Sequence, residues 1–168
     1  MTQPSDDHPR HADIEEYHGS FAIGCHEGSL TADLPTERLD LVWLFEDPPY
    51  PSQLFVNTGG QIGPFSVTME LCERGADAPG SEWEDVVEVS VSCTGPLVST
   101  AIVDAEPEAW IDCEGGEYRL RISARGRAEG RRRDLECDWV DEPVEHYLVQ
   151  AWPALPAAPV VIRSGPRN

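Results

Sequence analysis

The sequence predicts an all-β fold, an antiparallel β-sandwich with a barrel-like closure as the alternative. Three observations predict it. Short apolar stretches recur along the chain, several of them alternating with polar residues. Turn residues punctuate them, with 15 prolines and 14 glycines among 168 residues. No stretch carries the apolar stripe of a helix that packs on a core. The length fits one domain with a real core.

Residues 1–16 have almost no apolar content and predict a disordered or loosely attached acidic tail. The β domain is expected over 17–163, with 164–168 as a short C-terminal tail. In its first stretch Phe21, Ile23 and Cys25 share a period of two with Tyr17 and Gly19. Residues 39–45 (LDLVWLF) form a second strand, stopped by Pro48-Pro49. Residues 53–56 form a third, before the turn Asn57-Thr58-Gly59-Gly60.

In residues 63–72 Phe65, Val67, Met69 and Leu71 alternate with polar neighbours, the mark of a half-buried strand. Val87, Val89 and Val91 alternate with Glu88, Ser90 and Ser92 in the next. That alternation suits an antiparallel sheet. Leu97–Val103 and Trp110–Cys113 follow. Tyr118, Leu120, Ile122 and Ala124 then make one strand face, and Arg119, Arg121, Ser123 and Arg125 the other. Residues 126–143 read as a charged loop with Arg131–Arg133 at its tip. Glu145–Trp152 is a further strand, and Val160–Ile162 is a last apolar piece.

Charge narrows the function classes. Thirty-one Asp and Glu oppose twelve basic residues, all Arg, for a net charge of −19. Such a surface repels nucleic acid and anionic membranes and attracts cationic partners. The five cysteines have no C-x-x-C spacing. The first twenty residues lack a secretory apolar stretch, and no run approaches the roughly 18 apolar residues of a membrane span. The expectation is a cytoplasmic protein with reduced thiols.

Candidate site residues come from charge pattern. Arg119, Arg121 and Arg125, with Arg127 beyond, line one strand of an otherwise anionic chain. Two roles suit them: cross-strand pairing with Glu88 and its neighbours, or an anion site. Glu84, Asp85 and Trp83 stand beside Glu88 and complete the candidate binding set. Trp83, Trp110, Trp139 and Trp152 flank strands, where tryptophans more often seal a core edge; the other role open to them is to anchor a partner or sugar. The acidic run from Asp134 to Glu145 reads as a solvated face. His8, His11 and His18 lie among acids in the tail without fixed geometry, so no metal site is expected. No nucleophile elbow, zinc helix, calcium loop or phosphate loop occurs, so no catalytic residue and no cofactor is expected.

Thr58–Leu71 (TGGQIGPFSVTMEL), Trp83–Val91 (WEDVVEVSV), Tyr118–Gly126 (YRLRISARG) and Glu142–Pro153 (EPVEHYLVQAWP) carry a resemblance. Together they resemble a family of uncharacterised actinobacterial proteins with W-E-D-V-V-E, Y-R-x-R-x-x-A-R-G and Y-L-x-x-x-W-P strands. The resemblance spans residues 40–162 and implies family membership without an activity. The acidic β layout is also similar to the competence nuclease inhibitor ComJ, which transfers no site residues.

The expected function is therefore a non-enzymatic acidic binding protein. Its partner would be a cationic protein, as for an inhibitor or immunity protein facing a nuclease-like target. The alternatives are a small-molecule or carbohydrate-binding β module, and an enzyme built on clustered carboxylates.

Overall fold

The computed structural model describes residues 9–15, 18–25, 37–45, 53–102 and 107–166. Residues 1–8 of the expected tail, Tyr17 and His26 lie outside them. Twelve strands and one helix are described. They run β1 (His11–Ile14), β2 (Ser20–Cys25), β3 (Glu37–Arg38), β4 (Val42–Leu44), β5 (Gln53–Asn57) and β6 (Phe65–Leu71). After these come β7 (Asp85–Cys93), β8 (Leu97–Ala101), β9 (Pro107–Ile111) and β10 (Gly116–Arg125). The last are α1 (Arg127–Glu136), β11 (Glu145–Pro153) and β12 (Val160–Arg163).

The strands form two six-stranded sheets, ordered β1-β6-β11-β10-β7-β12 and β3-β4-β5-β2-β8-β9. They face each other as an all-β sandwich and do not close into a barrel. One pairing departs from antiparallel: β11 runs parallel to β6. The physical reason is a crossover. After β6 the chain skips two positions and re-enters the sheet at β7, so residues 72–84 pass over the outer face of β10 and β11.

The core explains the alternation. Val87, Val89 and Val91 meet Leu120 and Ile122 of β10 and Val149 of β11 inside the sandwich, with Phe21, Ile23 and Leu54 from the facing sheet. Tyr147 joins the layers. Its ring stands edge-on to Phe21 at 5.1 Å and to Phe65 at 6.5 Å. Such edge-to-face contacts add to the area buried.

Two expectations are corrected at the chain's polar stretches. Residues 11–14, assigned to the tail, form edge strand β1 on β6, and Ile14 is wholly buried. The N–H of Met69 donates to Arg10 O and that of Trp110 to Pro9 O, so this segment stitches the two sheets together. A short polar strand carries one inward apolar residue, too little for a periodicity to register.

The second correction is larger. Residues 127–136, expected as loop, are helical, and Arg131–Arg133 lie on the helix rather than at a loop tip. The helix has no apolar stripe; it buries Arg127 and Gly130. Gly126 opens it in the left-handed region at φ 81, where an added Cβ would also strike Val144 O. Arg132 and Arg133 pair with Glu129, and Arg132 also with Glu136, at helical spacings. Those guanidinium groups hold the exposed Glu129 carboxyl down to about 2.

Cys137 closes the helix with φ 55, donating its N–H to Asp134 O, while Asp138 N–H reaches Arg133 O. A non-glycine residue in this C-terminal position is strained. Cys137→Gly is expected to stabilise the fold by about 1 kcal/mol. A urea midpoint unchanged or lowered by the substitution refutes that assignment of strain.

Candidate functional site

The predicted arginine stripe lies on the outer face of β10. Arg119 and Arg121 are more than nine-tenths buried. β10 pairs Arg121 directly with Glu88 of β7. Arg121 donates from Nε and Nη2 to Glu88 Oε1 at 2.9 and 2.8 Å. Arg119 Nε stands 3.6 Å from the other Glu88 oxygen. Further guanidinium hydrogens go to backbone carbonyls, and Arg119 Nη1 also donates to Ser90 Oγ at 3.1 Å. Arg121 bonds to Ala76 O and Asp77 O in the crossover. Arg119 bonds to Ala157 O and Ala158 O, both at 2.9 Å, ahead of β12.

Each arginine therefore fastens a covering segment onto the sheet. Arg125, at the exposed end, lies over the Trp83 ring at 5.5 Å, and Arg121 lies over Trp152 at 5.6 Å. Of the seven predicted residues, five meet on this face: Arg119, Arg121, Arg125, Glu88 and Trp83. The geometry matches cross-strand pairing. A groove of about 430 Å³ remains under the crossover, bordered by Gly75, Asp77, Trp83, Ser123, Leu148 and Gln150.

The other two predicted residues turn toward α1. Glu84 accepts the N–H of Gly126 at 3.1 Å. Asp85 is buried and accepts Arg127 Nη1 at 2.9 Å and the N–H of Gly165 at 2.7 Å. Arg127 Nη1 also reaches Asp40 at 3.2 Å. This ion pair belongs to a buried polar cluster that sequence reasoning missed.

Glu145 is its centre. The acid expected on a solvated face has no exposed surface at all. Its carboxylate accepts Gly59 N–H at 2.8 Å, Gly60 N–H at 2.7 Å and the Tyr147 hydroxyl. Burial pushes its carboxyl above the ordinary value, against the lowering pull of those three donors. The same burial raises Tyr147 well above its usual range.

Glycines make the cluster possible. A Cβ on Gly59 would lie 1.8 Å from Arg127 O, and one on Gly130 would lie 1.9 Å from a Glu145 oxygen. So the turn after β5, the start of β11 and the first turns of α1 are locked together. A signal for this was present: Glu145 is in phase with Tyr147, Val149 and Ala151, and Asp85 with Val87, Val89 and Val91. A carboxylate on the core phase of a strand announces a buried partner.

What the cluster supports is exposed. From the last turn of α1 onward, residues 135–142 are all exposed. Leu135 is 81% and Trp139 58% exposed, and Val140 and Ile62 are each more than a third exposed. Glu136, Asp138, Asp141 and Glu142 stand among them. Ile62, Asp134, Asp138, Trp139 and Val140 border a shallow hollow of about 30 Å³. Of the candidate tryptophan anchors, Trp139 is the exposed one, whereas Trp152 is buried and Trp83 and Trp110 are half-buried.

Among the described residues no group of three or more His, Cys, Asp or Glu is placed to hold a metal ion. Nor is any helix of those residues long and apolar enough to cross a membrane. His11 of the predicted tail is instead hydrogen-bonded to Thr68 on β6 at 2.9 Å.

No described protein family matches the chain, and no curated protein matches it either. A solved structure described as "Crocagin biosynthetic gene J" is similar in fold, with a TM-score of 0.54 at 12% sequence identity. The alignment covers 85% of this chain and 96% of that one, so the likeness extends over most of the chain and is one of architecture.

Proposed function

We propose that this protein is a non-enzymatic binding protein that docks a cationic protein partner on the exposed acidic segment from the last turn of α1 to residue 142. The observation that carries the reading is a tryptophan more than half exposed, in a fully exposed segment with Leu135 and Val140, sharing a shallow hollow with Asp134, Asp138 and Glu142. Exposed apolar anchors within a polar rim are the composition of a binding hot spot. The carboxylates would speed encounter with a basic surface, and Trp139 would supply the desolvated contact. An inhibitor or immunity protein for a nuclease-like target is the form of this role that best suits a net charge of −19. Kinship with the actinobacterial proteins that share the W-E-D-V-V-E strand is part of the same proposal.

The test is affinity capture from the source organism's lysate at low salt, with the intact chain as bait. The captured protein is expected to have an isoelectric point above about 9 and to elute as salt rises. Trp139→Ala is expected to weaken its binding at least about tenfold. A neutral or acidic partner, or binding indifferent to both salt and Trp139→Ala, overturns the reading.

A second reading has one observation behind it. The groove of about 430 Å³ beside Trp83 has the volume of a small-molecule site. Binding of a small organic ligand that is lost in Trp83→Ala but kept in Trp139→Ala would favour it.

A further inference from the structure

The core holds a thiol cluster that the docking surface does not use. Cys25 ends β2 in one sheet and Cys93 ends β7 in the other. Both belong to the core between the sheets, as does Cys113 just beyond β9. The Cys25 sulfur sits between the two peptide groups that flank Cys93. It accepts the N–H of Thr94 at 3.4 Å and directs its S–H to Ser92 O at 3.8 Å. Both contacts flank Cys93, which sets the Cys25 sulfur against that residue.

We propose that Cys25 and Cys93 are a peroxide-oxidisable pair that closes into a disulfide between the two sheets. Cys25 is the attacking sulfur. Its pKa is lowered to about 6, first by the hydrogen bond from the Cys93 thiol and further by Thr94 N–H, against the effect of burial. Cys93 is pushed well up by the same hydrogen bond, and Cys113 is raised to about 11 by burial. The first proton lost from the pair is therefore lost at Cys25, which supplies the thiolate that such chemistry needs.

The Cys25 thiolate attacks one peroxide oxygen, the O–O bond breaks and hydroxide leaves, giving a sulfenic acid. The Cys93 sulfur then attacks Cys25 Sγ. The S–O bond breaks and water leaves with the Cys93 proton. Hydroxide takes up the proton first released by Cys25. In sum two thiols lose two electrons to form one S–S bond, and hydrogen peroxide becomes two waters. The oxidant must be small, because only 7% of Cys25 is exposed.

The site's electrostatics set the pH range. Cys93 and Cys113 face Cys25, with Asp112 beside Cys113, and Glu117 and Tyr118 on β10 beside Cys93. Oxidation is expected to run at a constant rate above about pH 7 and to slow as pH falls through 6. A free thiol would instead slow already below roughly pH 8.5.

The experiment uses the full chain carrying Cys72→Ser and Cys137→Ser, which removes the two more exposed thiols. The reduced protein is treated with hydrogen peroxide, then read by intact mass, peptide mapping and thermal melting. The expected results are loss of two hydrogens, a cross-linked pair of peptides holding Cys25 and Cys93, and a Tm raised by roughly 10 °C. Adding Cys113→Ser should leave all three unchanged. Adding Cys93→Ser should leave Cys25 as a sulfenic acid that dimedone traps. If that variant does not fold, the peptide map of the parent decides. A main product joined through Cys113, a Cys25 that stays reduced while a free thiol is oxidised, or a lowered Tm overturns the proposal.

Discussion

Glu145→Ala is expected to destabilise the protein by about 3–5 kcal/mol, among the largest losses available to a single side chain in this fold. Glu145 is wholly buried, and its carboxylate receives three donors: two backbone N–H groups and the Tyr147 hydroxyl. Alanine would leave all three without an acceptor, at roughly 1–3 kcal/mol for each buried group that finds no substitute. Arg127, already paired with Asp85 and Asp40, would lose a nearby negative charge as well. Urea denaturation monitored by tryptophan fluorescence measures the loss. A cost below about 1 kcal/mol, the range of an ordinary surface substitution, would show that the cluster does not hold α1 to the sheets.

The same residue predicts a pH dependence. Its carboxyl is raised above the ordinary 4.5 by burial, so the native state holds that proton more tightly than the unfolded chain does. The stability gained from this is complete below pH 4.5 and is lost as pH rises through the folded value. Glu145→Gln cannot titrate there. The stability of the parent relative to that variant is therefore expected to fall as pH rises from 4.5. A relative stability that grows over that range means the carboxyl is lowered, not raised.

Gly130→Ala is expected to destabilise by roughly 2–4 kcal/mol, against the usual sign for such a change. In an unencumbered helix interior, alanine is favoured over glycine by about 1 kcal/mol. Gly130 is one of two buried residues of α1, and a Cβ there would sit 1.9 Å from a Glu145 oxygen. Either the helix must lift from the sheet or the carboxylate must leave its donors. The double variant Gly130→Ala with Glu145→Ala should cost less than the sum of the two, since truncating Glu145 removes the collision. Additive losses would place the damage elsewhere.

The strands were legible because their local period and their tertiary burial agree. β6, β7, β10 and β11 each present alternate apolar residues to one face, and the facing sheet buries that face. The pairing of the arginine stripe with Glu88 was legible too, since opposite charges on neighbouring strands stabilise each other. β1 and α1 were not legible. β1 offers one buried apolar residue, and α1 docks through an arginine and a glycine, so neither produces an amphipathic pattern.

The docking surface was visible only in part. Trp139 was one of four tryptophans expected mainly to seal a core edge, and its exposure came from the structure, whereas the acids around it read correctly as solvated. Glu145, counted with them, sits in the opposite environment. Its strand phase pointed inward, but its two backbone donors come from residues 85 and 86 positions away in the chain.

By itself the sequence determined an acidic all-β domain, most of its strands and the polarity of its charge, because these follow from composition and from a period of two. The tertiary structure alone decided which charges are solvated and which are sealed. It also decided that β6 and β11 run parallel and that Cys25 meets Cys93. Each depends on long crossovers that bring distant segments together, and local periodicity carries no record of such meetings.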